Sequence, residues 1–186
     1  RISLRQEGVL RCFTYWERVD DVDLSVIGLS EDGKQVEFSW RTMAEKNSPE
    51  IVYSGDVTDG YKGASEYFDV DIKLFKEKHP QIRYLVFCDN VYSEVPFRLF
   101  DCKAGYMIRK DGESGEIFEP KTVESAFSIN SDSMFAYLFA IDMESNELVW
   151  LNVANSVPAR IAGTKRLDFL FDYLDMSDVI NVYDLF

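Results

Sequence analysis

A single histidine, His79, stands in the 186-residue chain, and that scarcity removes much chemistry at the outset. An imidazole between Lys78 and Pro80 with no second histidine offers neither a triad nor a zinc site, and it reads as an exposed loop residue without a partner. Serine, threonine and cysteine nucleophiles are left without a histidine base. The three cysteines, Cys12, Cys88 and Cys102, are odd in number and widely spaced with no C-x-x-C pair. That excludes a disulfide framework or a cysteine zinc site, and their apolar neighbours predict buried free thiols in a reducing compartment. Basic residues are also few: 20 Lys and Arg face 33 Asp and Glu, giving a formal net charge of −13. Such a field repels phosphate backbones, and no basic patch interrupts it, so nucleic-acid binding is not expected. No run of about 18 apolar residues occurs, so no membrane span is expected. With no signal-peptide pattern either, the expected location is cytoplasmic. The glycines of 55–63 are not followed by Gly-Lys-Ser or Gly-Lys-Thr, so they do not form a phosphate loop.

What remains is ample apolar material, 46% of residues with 15% aromatic, enough for one domain with a sizeable core. Most of it falls in short β-like runs broken by turn residues. Gly8–Trp16, Asp21–Leu29 and Val36–Trp40 are such runs, with Asp32-Gly33 supplying a hairpin turn. Ile51–Ser54 and Glu66–Ile72 follow around the glycine-bearing stretch 55–63, with Phe68, Val70 and Ile72 expected on one face. Lys73–His79 suits a single helical turn before Pro80. Ile82–Cys88 is nearly all apolar, as in a central strand buried on both faces. Phe97–Phe100, Ala104–Arg109, Thr122–Ile129, Met134–Asp142 and Glu147–Val153 complete a set of about ten short strands, which predicts a mainly β, two-layer sandwich. Trp16, Trp40 and Trp150 read as core plugs. After Pro158 the spacing of Leu167, Leu170, Phe171 and Leu174 becomes helical. The expected layout is a sandwich domain over 1–158 with a helical tail over 159–186. The start at Arg1 and the stop at Phe186 suggest an excerpt from a longer parent.

Three acidic features could carry chemistry. In a strand, Asp21 and Asp23 share a face with their Cα atoms about 6.8 Å apart, and a cation between them would turn repulsion into attraction. The other two are Ser54-Gly55-Asp56-Val57-Thr58-Asp59-Gly60 and Gly63-Ala64-Ser65-Glu66, the latter entering the strand that carries Asp69 and Asp71. These segments offer oxygens and almost no nitrogen or sulfur, which suits calcium, an ion that accepts irregular loops and about 6–8 oxygen ligands. The spacing does not fit an EF-hand. On spacing alone, a solvated acidic face remains the competing reading.

Several of these segments together resemble one family. Trp16 with Asp21-Val22-Asp23-Leu24-Ser25, Tyr53-Ser54-Gly55-Asp56, and Gly63-Ala64-Ser65-Glu66 with Val70-Asp71-Ile72 resemble the TerD family, named for bacterial tellurite resistance. Phe97, Gly105-Tyr106-Met107, Phe118–Val123 and the ending Val182-Tyr183-Asp184-Leu185 resemble a divergent branch found within larger multidomain proteins. The resemblance covers roughly residues 8–186. It implies a calcium-binding β-sandwich with a role in stress response and no established catalysis, and it carries over Asp21, Asp23, Asp56 and Glu66 as metal ligands. Ala64 and Ser65 depart from it, standing where the fuller motif has Asp, which lowers the expectation to one weak calcium site. The expected function is a non-catalytic, stress-associated binding or scaffold domain with protein partners. A metal-free interaction sandwich and a carboxylate-dependent hydrolase are the alternatives.

Overall fold

Alternation and turn chemistry produce two antiparallel sheets that face each other. The structure, a computed structural model, describes residues 1–4, 8–43, 47–109, 123–155 and 174. The six-stranded sheet runs β1 (Ile2–Ser3), β11 (Glu147–Asn155), β10 (Phe135–Asp142), β7 (Ile82–Asn90), β3 (Asp23–Ser30) and β4 (Gln35–Phe38). The five-stranded sheet runs β5 (Ile51–Tyr53), β6 (Ala64–Val70), β2 (Val9–Glu17), β8 (Asp101–Arg109) and β9 (Val123–Ser128). Two short helices, α1 (Trp40–Met43) and α2 (Ile72–Lys78), lie in the connections.

The apolar run at β7 is central, as its composition requires: β10 and β3 flank it on either side. Its residues alternate between two apolar clusters. Leu85 and Phe87 join the core between the sheets, while Tyr84, Val86 and Cys88 join a cluster on the outer face. The inner core includes Trp16, Phe68, Phe97 and Phe139, all essentially inaccessible to solvent. All three cysteines are free and buried, as their surroundings predict. Strand polarity fixes which ends meet. Glu17 pairs with Asp101, Trp16 with Ala64, Asp23 with Asn90, and Phe135 with both Asn90 and Asn155. One end of the sandwich therefore gathers the connections 18–22, 54–63, 91–100 and 129–134.

Some expectations are corrected. Phe97–Phe100 is not a strand; Phe97–Leu99 forms a 3₁₀ turn after Pro96. Phe97 and Phe100 are buried and Leu99 is exposed, an i, i+3 spacing that suits that turn. Ile72 opens α2 instead of extending β6, because Asp71 caps the helix through a bond from Leu74 N to its side chain (2.9 Å). Trp40 is no core plug, being 38% exposed. His79 is not partnerless: its ring lies 4.5 Å from that of Phe75, and Nε2 is 3.2 Å from Glu50 Oε1. The helical tail over 159–186 lies outside the described residues except for Leu174, which is helical and buried in the outer-face cluster.

Candidate metal centre

The short connection from β2 to β3 and the glycine-rich connection from β5 to β6 are bound to each other. Gly60 N donates to Asp20 O (2.7 Å) and Arg18 N donates to Tyr61 O (2.9 Å). Gly60 can sit there only because it lacks a side chain: a Cβ would fall 2.3 Å from Trp16 Nε1 and 2.8 Å from Ala64 Cβ. Gly55 has φ +100°, a conformation natural to glycine, and it turns the chain just before Asp56. The connection after β7 joins as well. Asp21 N donates to Ser93 Oγ at 3.1 Å.

This lacing brings Asp21, Asp23 and Asp56 together, with one carboxylate oxygen from each lying within 4.8 Å of the others. Among the described residues it is the one such group of three metal-capable side chains. Asp21 lies just before β3 rather than on it, two residues ahead of Asp23 at the first position of that strand. Asp23 accepts from Asn90 Nδ2 at 3.4 Å. Asp21 Oδ1 is buried with no hydrogen-bond partner, on a residue only 8% exposed. An unpaired carboxylate oxygen out of water is costly.

Glu66 plays a different part. Its Oε2 accepts from Leu24 N (2.9 Å) and the Tyr53 hydroxyl (2.7 Å), and its Oε1 accepts from Val57 N (3.0 Å). These donors adjoin Asp23 and Asp56, so Glu66 holds both acids in place. Ser65, expected as a lost ligand, donates to Thr14 O at 2.7 Å.

The charges raise one another's affinity for protons. Burial first, then Asp23 and Asp56, push the Asp21 carboxyl up to about 7. Asp23 is pushed to about 6 by burial, opposed by Asn90, with Asp56 adding to the rise. Glu66 rises to about 8 because burial outweighs its three donors. The Tyr53 phenol is raised by burial and by Glu66. Two ionised carboxylates within 4.8 Å of each other repel by about 3 kcal/mol or more at an effective dielectric near 20. A cation reverses that sign. Oxygens opposite each other on calcium, at about 2.3–2.6 Å from the ion, are separated by about 4.6–5.2 Å. Oxygens no more than 4.8 Å apart can therefore share one calcium ion.

One polar core residue escaped the sequence reading. Asp89, fully buried, accepts from Thr14 Oγ1 of the opposite sheet (2.5 Å) and from Cys102 Sγ (3.9 Å), while its Oδ1 has no partner. Burial is the main cause that lifts its carboxyl to about 7, and Asp23 adds to it. The sequence signal was the inward alternation Leu85, Phe87, Asp89, which continues past the apolar run.

Compared with known proteins, the chain matches no family model. No curated protein and no solved structure matches it.

Proposed function

We propose that this chain is a non-catalytic binding module of the TerD type, in which one divalent cation, calcium by donor chemistry, clamps the 18–22 connection to the 54–63 connection. Asp21, Asp23 and Asp56 hold the ion, and Glu66 positions them. Glu66, carried over from the resemblance as a ligand, is better read as a positioning residue because backbone and tyrosine donors occupy its oxygens. The observation that carries the reading is the buried, unpartnered Oδ1 of Asp21 inside the three-carboxylate group. Three acidic ligands leave the rest of calcium's shell to carbonyls and water, so the site is weak. The resemblance adds a stress-associated role within a longer protein.

Thermal unfolding in calcium against chelator tests the clamp. At about 100 times its dissociation constant a ligand adds about 2.7 kcal/mol, which raises Tm by about 5–10 °C in a chain of this size. Asp21→Asn should abolish the shift. A Tm that ignores calcium in the unaltered protein would leave the second reading, a metal-free interaction sandwich. That reading is favoured by one observation, that Glu66 is already satisfied without an ion.

A further inference from the structure

The end of the sandwich that carries the acidic trio also carries exposed aromatic side chains. Among the described residues five large hydrophobic side chains are exposed: Val36, Trp40, Tyr61, Tyr92 and Leu99. Tyr61, Tyr92 and Leu99 belong to connections at this end, and Trp40 follows the end of β4 that pairs with the start of β3. Tyr61 is 58% and Tyr92 67% exposed. Both lie beside bonds to the acidic connection: Tyr61 O accepts from Arg18 N, and the Ser93 side chain, next to Tyr92, accepts from Asp21 N. Exposed acids lie in the same connections, namely Asp20, Asp56, Asp59 and Glu94. The basic residues there do not balance them. Arg18 is paired to Asp101 at 2.6 Å, Arg98 is paired to Asp132, and Lys62 is the remaining base of these loops. Arg18 and Glu94 also hold positive φ, +70° and +56°. Neither residue favours that conformation, and such strain concentrates at working sites.

Exposed tyrosines set among unbalanced carboxylates suit one kind of partner. Guanidinium and ammonium groups stack on aromatic faces and pair with carboxylates, and tyrosine is enriched at the energetic centres of interfaces. We infer that this end of the sandwich is a docking surface for an arginine- and lysine-rich segment of a partner protein, with Tyr61 and Tyr92 as stacking platforms and Asp20, Asp59 and Glu94 as the outer ring of charge. The inference rests on the reading of the chain as a binding module and gives the chemistry of what it binds. A cation clamped by the inner trio fixes the loops, and the outer ring and the tyrosines stay free for the partner.

A hexa-arginine peptide titrated into the calcium-supplied protein, followed by calorimetry, tests this, with hexa-glutamate as control. Saturable binding of the arginine peptide alone is expected. Tyr61→Ala with Tyr92→Ala should weaken it about tenfold, as loss of hot-spot side chains does. Asp20→Asn, Asp59→Asn and Glu94→Gln together should weaken it and flatten its salt dependence. The tyrosine changes should leave the calcium-dependent Tm unaltered. Absence of saturable binding overturns the inference. So does binding that ignores the tyrosine changes, because that is diffuse charge attraction. A lost calcium response with the peptide still bound would instead count against the clamp alone.

Discussion

At Glu66 both carboxylate oxygens already accept hydrogen bonds, whereas at Asp21 a buried oxygen accepts none. Chemically alike residues should therefore answer substitution in opposite ways. Above about pH 8, where Glu66 is ionised, Glu66→Gln places an amide against donors, because every partner of Glu66 is an N–H or O–H. The expected cost is about 1–3 kcal/mol, that of an unmade buried hydrogen bond, with or without calcium. Asp23→Asn removes a charge from the trio and keeps an oxygen for Asn90. Above neutral pH it should stabilise the calcium-free protein, and it should erase the response to calcium. Urea unfolding of both variants in calcium and in chelator separates the two roles. A calcium-free protein destabilised alike by both changes would show that Asp23 is structural rather than a ligand.

Among the elements, the 54–63 connection depends on a glycine whose role lies in packing rather than in turn geometry. The indole N–H of Trp16 is buried without a partner, and a methyl at position 60 would meet it. Gly60→Ala should cost about 1–3 kcal/mol through overpacking. It should also shift Trp16 fluorescence and weaken calcium binding, since the Gly60 bond to Asp20 ties the two connections. Unchanged fluorescence and stability would show that the loop rearranges freely. The sequence revealed these elements unevenly. β7 was readable because a strand flanked on both sides and buried on both faces must be apolar nearly throughout. The stretch from Phe97 to Phe100 was not, because spacing by three and alternation by two look alike over so few residues. The pairing of Asp21 with Asp23 showed in their spacing, although only Asp23 belongs to the strand. Asp56 lay in an acidic loop that the sequence marked, but only resemblance to a family motif singled it out from Asp59. Nothing local marked Glu66 as a tether, since its donors come from Leu24, Tyr53 and Val57. The partner of His79 lies 29 residues away at Glu50.

For the molecule as a whole, the carboxyls of Asp21, Asp23, Glu66 and Asp89, at about 7, 6, 8 and 7, make stability a function of pH. Their unfolded values lie near 3.9 for Asp and about 4.3 for Glu. Between those limits the folded chain holds more protons than the unfolded one, so the slope of stability against pH is negative. The contribution of these groups is complete below about pH 4 and is lost as pH rises through 6 to 8. Glu50 works the other way. Burial opposes its ionisation, but Lys78 (2.8 Å) and His79 outweigh that and hold its carboxyl below the usual range, so its contribution fades in acid. In chelator the protein should therefore be most stable in mildly acidic solution and weaken steadily toward pH 8. Calcium can occupy the trio only as Asp21 and Asp23 lose their protons. Its stabilisation should thus be small at pH 5 and largest near pH 8, levelling a curve that slopes downward without it. Unfolding followed across that range, with and without calcium, reads both trends together. A chelator curve that rises toward pH 8 would mean that these acids are ionised and solvated in the folded chain, and the cation would then have no buried repulsion to relieve.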